Sequence, residues 1–222
     1  MSHIDIETGR LRETLKELMM LTTQQIRKSQ DVVFNFDKEL AREVIFYEKH
    51  INSLELKIDR DCENILALLN PVAVDLRFIL ATLKINPSLE RIADNAESMV
   101  RYVLEMKEPY DSELMRQIKL REMFDIALSM LSDVYTAFTT EDTRIARNVL
   151  LKDDLLDEIN MVAAHTAEAF IKKNSALTYQ SLFVLSNVRK LERVGDQTKN
   201  IAEEIIFYLE ARVLKHSKPG GI

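Results

Sequence analysis

The chain repeats itself. Leu40-Ala41-Arg42-Glu43-Val44 returns as Ile145-Ala146-Arg147-Asn148-Val149, and at the same offset Leu15, Leu18, Met19 and Ile26 fall on Leu120, Met123, Phe124 and Leu131. Later in each unit the offset shortens by three, so that Leu80, Leu83, Leu89-Glu90-Arg91 and Asp94 fall on Leu182, Leu185, Leu191-Glu192-Arg193 and Asp196. The change comes near Asn70-Pro71 and Asn174-Ser175, where a turn of different length absorbs it without disturbing helix phase. A duplicated unit implies neighbours that stack to bury a common core.

Each unit reads as three helices. Apolar residues recur at helical spacing: Ile85, Leu89, Ile92, Ala96, Met99 and Val103 share one side. Only four Gly and four Pro interrupt the 222 residues, and the breaks they help to mark are regular. Asn70-Pro71 reads as a cap and first helical residue, and Pro109-Tyr110-Asp111-Ser112 as a break and a cap. Thr139-Thr140-Glu141-Asp142 reads as a further start, Lys173-Asn174-Ser175 as a turn, and Asn35-Phe36-Asp37 as a weaker break. Pro87 falls inside a continuing pattern and predicts a kink. The expected fold is all-α, with two tandem three-helix bundles. It comprises six helices of about 25 to 38 residues, or roughly 40 to 55 Å each. The first repeat is expected over 1–108 and the second over 109–214, with a frayed tail at 215–222.

Composition narrows the function. Hydrophobic residues at 46% and charged residues at 30% suit a folded soluble protein. No apolar run reaches the roughly 20 residues of a membrane span, and no signal peptide is recognisable. A single cysteine, Cys62, fits a reducing compartment and reads as core, so the expected location is cytoplasmic. The net charge of −6, with Lys and Arg dispersed and Trp absent, argues against a nucleic-acid partner. Met19, Met20, Met99, Met106 and Met161 read as core filler. There is no Ser-His-Asp order, Gly-rich phosphate loop or zinc-finger spacing, and the chain is expected not to be an enzyme.

The carboxylates form a pattern. Glu90 and Asp94 are four apart, as are Glu192 and Asp196, so each pair shares a helix face despite its like charge. The middle helix of the first unit carries Glu48, Asn52, Glu55 and Asp59 in one stripe, and that of the second carries Asp153, Asp157 and Asn160. Asn52 precedes Pro71 by as much as Glu90 follows it, and Asp157 and Glu192 are nearly equidistant from Asn174-Ser175. Equal distance from the turn of an antiparallel pair means equal height, so stripe and step should lie side by side on a partly open flank. Two readings stand here. The acids are solvated surface groups, with Arg91 pairing with Asp94, Arg189 with Glu192 and Lys199 with Asp196 at i, i+3. Otherwise the acids hold a cation, as carboxylates on facing helices do in di-iron bundles. The Glu-x-x-His pairs of the di-iron class are missing.

Pro71-Val72-Ala73-Val74-Asp75-Leu76-Arg77 ahead of Glu90-Arg91-Ile92-Ala93-Asp94 resembles the PhoU family of phosphate-transport accessory and regulatory proteins. So does Leu191-Glu192-Arg193-Val194-Gly195-Asp196 with Asn200-Ile201-Ala202-Glu203-Glu204, and the resemblance spans nearly the whole chain. It implies two tandem three-helix bundles in pseudo-twofold repeat, and metal clusters, with iron or zinc the expected transition-metal ions, at the steps Glu90/Asp94, Glu192/Asp196 and Asp153/Asp157. With the neighbouring stripe the candidate metal residues are Glu48, Glu55, Asp59, Glu90, Asp94, Asp153, Asp157, Glu192, Asp196 and Asn200. Asn52, Ala93 and Ser98 depart from the family pattern in the first repeat, where the second keeps Asp157, Gly195 and Asn200. Asn95 and Gln197 stand in place of a frequent His. The resemblance further implies a homodimeric adaptor that links the ATPase of a phosphate ABC transporter to a sensor histidine kinase. Such an adaptor reaches the membrane only through its partners and negatively regulates the phosphate-starvation response. The alternative is a metal-dependent carboxylate-bundle enzyme or metal-storage protein.

Overall fold

The structure, a computed structural model, describes residues 2–213. Three long helices form the first unit: α1 (His3–Asn35), α2 (Lys38–Leu69) and α3 (Ala73–Glu105). The second unit has α4 (Ser112–Gln117), α5 (Leu120–Thr140), α6 (Thr143–Lys173) and α7 (Thr178–Glu210), with a 3-10 turn at Ser175–Leu177 before α7. Among the described residues there is no strand. The tail expected to fray from 215 lies outside the described residues.

Local chemistry sets most boundaries. The Ser2 hydroxyl accepts from the Asp5 N–H, and the Asp5 carboxylate accepts from the Ser2 N–H, closing a capping box on α1. Asp37, Asp111 and Asp142 cap α2, α4 and α6 through their carboxylates. Two readings of the sequence need correction: where α3 begins, and whether the first helix of the second unit is continuous. Asn70 closes α2 in the left-handed conformation (φ 46°) rather than opening α3, a role its short polar side chain tolerates. The helix α3 starts at Ala73 and runs unbroken through Pro87 to Glu105, because Ile85, Leu89 and Ile92 are buried on both sides of the proline. The first helix of the second unit is not one helix. It breaks between α4 and α5, where Lys119 adopts φ 61°. Ile118 and Leu120 are both buried, yet residues two apart on a helix face opposite ways; the break lets both reach the core.

The repeat is visible in the packing. Leu15, Leu18, Met19 and Ile26 are buried, and so are their equivalents Leu120, Met123, Phe124 and Leu131. Ala41 and Val44 on α2 match buried Ala146 and Val149 on α6. Met19, Met99 and Met106 are core as expected, whereas Met20 and Met161 are exposed. Cys62 is buried, and burial beside Asp59 pushes its thiol up to about 12. The helices α1, α2 and α3 pack together, as do α5, α6 and α7.

The two units share one core. It joins them along α3 and α7 and again along α1 and α5. Arg77 Nε donates to the Tyr208 carbonyl, Lys84 pairs with Glu204, and Tyr102 meets Ser186, so α3 and α7 run antiparallel. Phe78, Phe138 and Tyr208 cluster at one end of the seam, with the Arg12 guanidinium 4.6 Å from the Phe78 ring centre. Tyr102 stacks on Phe183 at 4.6 Å at the other end. This antiparallel seam brings the two Glu-Arg-x-x-Asp steps to the two sides of one groove.

Candidate functional site

Equal height from the hairpin turns holds. In the first repeat Glu48 of α2 faces Asp94, Glu90 and Glu97 of α3, and Glu55 faces Glu90. Glu48 is the deepest of these acids, at 5% exposure, and neither of its carboxylate oxygens has a hydrogen-bond partner. Burial first, then the charges of Asp94, Glu97 and Glu90, push its carboxyl up to about 8. Burial and neighbouring acids also raise Glu55 and Glu90, with Arg91 partly relieving Glu90. Asp59 lies one turn further along, where Asn86 Nδ2 donates to its Oδ1 at 2.8 Å and to the Glu55 carbonyl at 2.9 Å.

The second repeat gathers Asp153 and Asp157 of α6 against Glu192 and Asp196 of α7. Burial, then the neighbouring acids, raise Glu192 and Asp196. Asp153 is almost fully buried and is also raised by burial, but Lys199 opposes the shift. Lys199 Nζ stands 2.6 Å from Asp153 Oδ2 across the α6–α7 interface. Gly195 permits this close approach: a Cβ there would sit 2.5 Å from Leu156 Cδ1 and 3.0 Å from Asp153 Oδ1. Asn200, half-buried, follows Asp196 by one turn.

The flank is partly open, with Asp94, Asp157 and Asp196 exposed and Glu90 and Glu192 half-buried. None of the local pairs Arg91–Asp94, Arg189–Glu192 and Lys199–Asp196 forms among the described residues; Lys199 reaches across to Asp153 instead. Glu97 escaped the sequence reading, although it follows Glu90 by seven and Asp94 by three and so lies on their face. The cross-helix reach of Lys199 had no sequence signal. The acids share a level, but among the described residues no three His, Cys, Asp or Glu side chains stand close enough to hold a metal ion as they are. Between the two steps α3 and α7 enclose an open groove of about 510 Å³, lined by Arg91, Asp94, Ser98, Lys190, Arg193 and Asp196.

Comparison with known proteins places this arrangement. The PhoU domain matches twice, over residues 15–119 and 120–205. The phosphate-specific transport system accessory protein PhoU of Edwardsiella tarda is 29% identical over 206 residues, covering 93% of this chain and 84% of that protein. The crystal structure of PhoU from Pseudomonas aeruginosa superposes with a TM-score of 0.89 at 26% identity, covering 95% of this chain and all of that one. The phosphate transport system regulatory protein PhoU from Streptococcus pneumoniae superposes with a TM-score of 0.82 at 25% identity, over 95% of this chain and 99% of that one.

Proposed function

Because the chain belongs to the PhoU family, with both of its repeats matched, we propose that it is a regulatory accessory protein of a phosphate transport system. PhoU proteins are accessory proteins rather than enzymes, and this chain is accordingly one that works by contact. In this reading it couples the ATPase of a phosphate ABC transporter to a sensor histidine kinase and holds down the phosphate-starvation response. The double family match along nearly the whole chain carries the reading. Large apolar side chains exposed at equivalent positions of the two repeats support it: Phe46 and Leu151, Leu56 and Met161, Leu80 and Leu182. Among the described residues no helix is long and apolar enough to cross a membrane. In this reading contact with the transporter runs through the exposed apolar surfaces, from the cytoplasmic side. We take the protein to be a homodimer.

The carboxylate steps are read as metal sites. The first repeat fits a cation: Glu48 is buried with no donor or positive group at either oxygen, against Asp94 and two further acids, and such a group needs either a proton or a positive ion. Glu48, Glu90 and Asp94 would hold the ion, with Glu55 and Glu97 at its margins. An iron or zinc ion held there would supply the positive charge that these acids of α2 and α3 lack. Glu48 anchors the buried side, and Arg91 steadies Glu90 from outside.

The test is a pull-down of the purified chain against the transporter ATPase and the sensor kinase, at high and low phosphate. Phosphate-dependent capture of both is expected, and capture of neither would overturn the adaptor reading. Elemental analysis of the same preparation reads the metal independently.

A further inference from the structure

The two offsets of the repeat pair Glu48 with Asp153 and Glu97 with Lys199. At the first pair both repeats bury an acid, with Glu48 at 5% and Asp153 at 1% exposure. At the second pair the sign reverses. In the first repeat Glu97 adds a negative charge facing Glu48, while its own ion pair goes outward to Arg101. In the second, Lys199 brings an ammonium to 2.6 Å from the Asp153 carboxylate and faces Asp157 and Asp196 as well. The buried acid of the first repeat has no partner for either oxygen; that of the second is already neutralised from within.

We infer that Lys199 is a tethered cation that takes the place of a metal ion in the second repeat, so that only the first repeat binds metal. This rests on the reading of the carboxylate steps as metal sites. A metal ion that used Asp153 would have to expel the ammonium from the same oxygen and would meet its charge at close range. The ammonium is held by a chain already folded and loses little freedom in binding, whereas an ion from solution must be desolvated and captured. The two sites are therefore unequal in kind: one repeat responds to metal supply, and the other is neutralised by its own lysine at all times.

The experiment uses the full chain, stripped with chelator, reloaded with Zn²⁺ and desalted, with metal per chain and melting temperature as readouts. In the unaltered protein Glu48→Gln should remove most of the metal and Asp196→Asn should leave it in place. Lys199→Ala should raise metal per chain about twofold, since a second carboxylate set becomes available. Adding Asp153→Asn should abolish that gain. Without metal, Lys199→Ala should melt lower than the unaltered chain, and Zn²⁺ should restore it. Lys199→Gln, which keeps a donor but no charge, gives the same metal readout should the alanine variant fold poorly. Loss of metal from the unaltered chain on Asp196→Asn, or unchanged metal in both Lys199 variants, overturns the inference while leaving the metal reading intact. Absence of metal from every chain, the Lys199 variants included, overturns the metal reading and the inference with it.

Discussion

Lys199 Nζ lies 2.6 Å from Asp153 Oδ2, bridging α6 and α7 at the point where the equivalent residues of the first repeat, Glu97 and Glu48, are both acids. The pair is buried at the carboxylate and more open at the amine. Removing the amine strands Asp153 in the core. Lys199→Met should therefore destabilise the metal-free protein by about 1–3 kcal/mol, less than for a fully enclosed pair because water reaches the amine side. Adding Asp153→Asn should return much of the loss. Urea unfolding of the two single variants and the double variant gives the coupling directly; additive effects would mean the contact contributes nothing.

Glu48 predicts a pH dependence of the opposite sense to that of an ordinary salt-bridged acid. Its folded pKa is raised to about 8 from 4.5, so between those values the folded state holds a proton that the unfolded state has released. Its contribution is complete below about pH 4.5 and is lost as pH rises through 8. Glu55, Glu90, Glu192, Asp153 and Asp196 are raised too and add in the same direction. Metal-free protein should lose stability on going from pH 5 to pH 8. Glu48→Gln should flatten that slope and stabilise the protein at pH 8 by on the order of 2–4 kcal/mol, at about 1.4 kcal/mol per unit. Thermal melts across the range check it, and a parallel slope in the variant would reject Glu48 as the source.

Gly195 sets the spacing of α6 and α7. A methyl group there meets Leu156 and Asp153 below contact distance. Gly195→Ala should destabilise by about 1–3 kcal/mol despite the better helix propensity of alanine, because the packed neighbours must shift. The first repeat holds Ala93 at the equivalent place and buries it completely, so the reciprocal Ala93→Gly should cost about 1 kcal/mol through helix entropy. Denaturant midpoints of the two variants separate crowding from propensity.

Lys119 adopts a left-handed backbone conformation that a side chain disfavours by about 1–2 kcal/mol. Lys119→Gly removes that strain but adds freedom to the unfolded chain, so a net gain of up to about 1 kcal/mol is expected. Lys119→Pro, incompatible with φ 61°, should unfold the α4–α5 junction. Melting temperatures that order the three as Gly above Lys above Pro would agree with the helix break; equal values for Gly and Lys would mean the strain is relieved elsewhere.

The carboxylate geometry shows how far the sequence reaches. Helix periodicity and equal distance from a turn are local rules, and they brought Glu48, Glu55, Glu90 and Asp94 together on one flank, and Asp153, Asp157, Glu192 and Asp196 on another. Glu97 was legible by the same rule, three residues after Asp94. Asn70 read as the start of a helix and proved to be the end of one, because an Asn serves both caps and only the packing decides between them.

By itself, the sequence determined an all-helical duplicated chain with two acid steps at matching heights. Spacing along a single helix and symmetry about a hairpin turn need no knowledge of what lies across the interface. Tertiary structure alone decided that α4 and α5 part at Lys119, that the two steps border one groove between antiparallel α3 and α7, and that Lys199 serves Asp153 rather than Asp196. The reason is reach and burial. A lysine side chain spans several ångströms, so local spacing offered Asp196. Only the packing of α6 against α7 over Gly195 placed a buried carboxylate within range, and a buried charge gains more from a partner than an exposed one does.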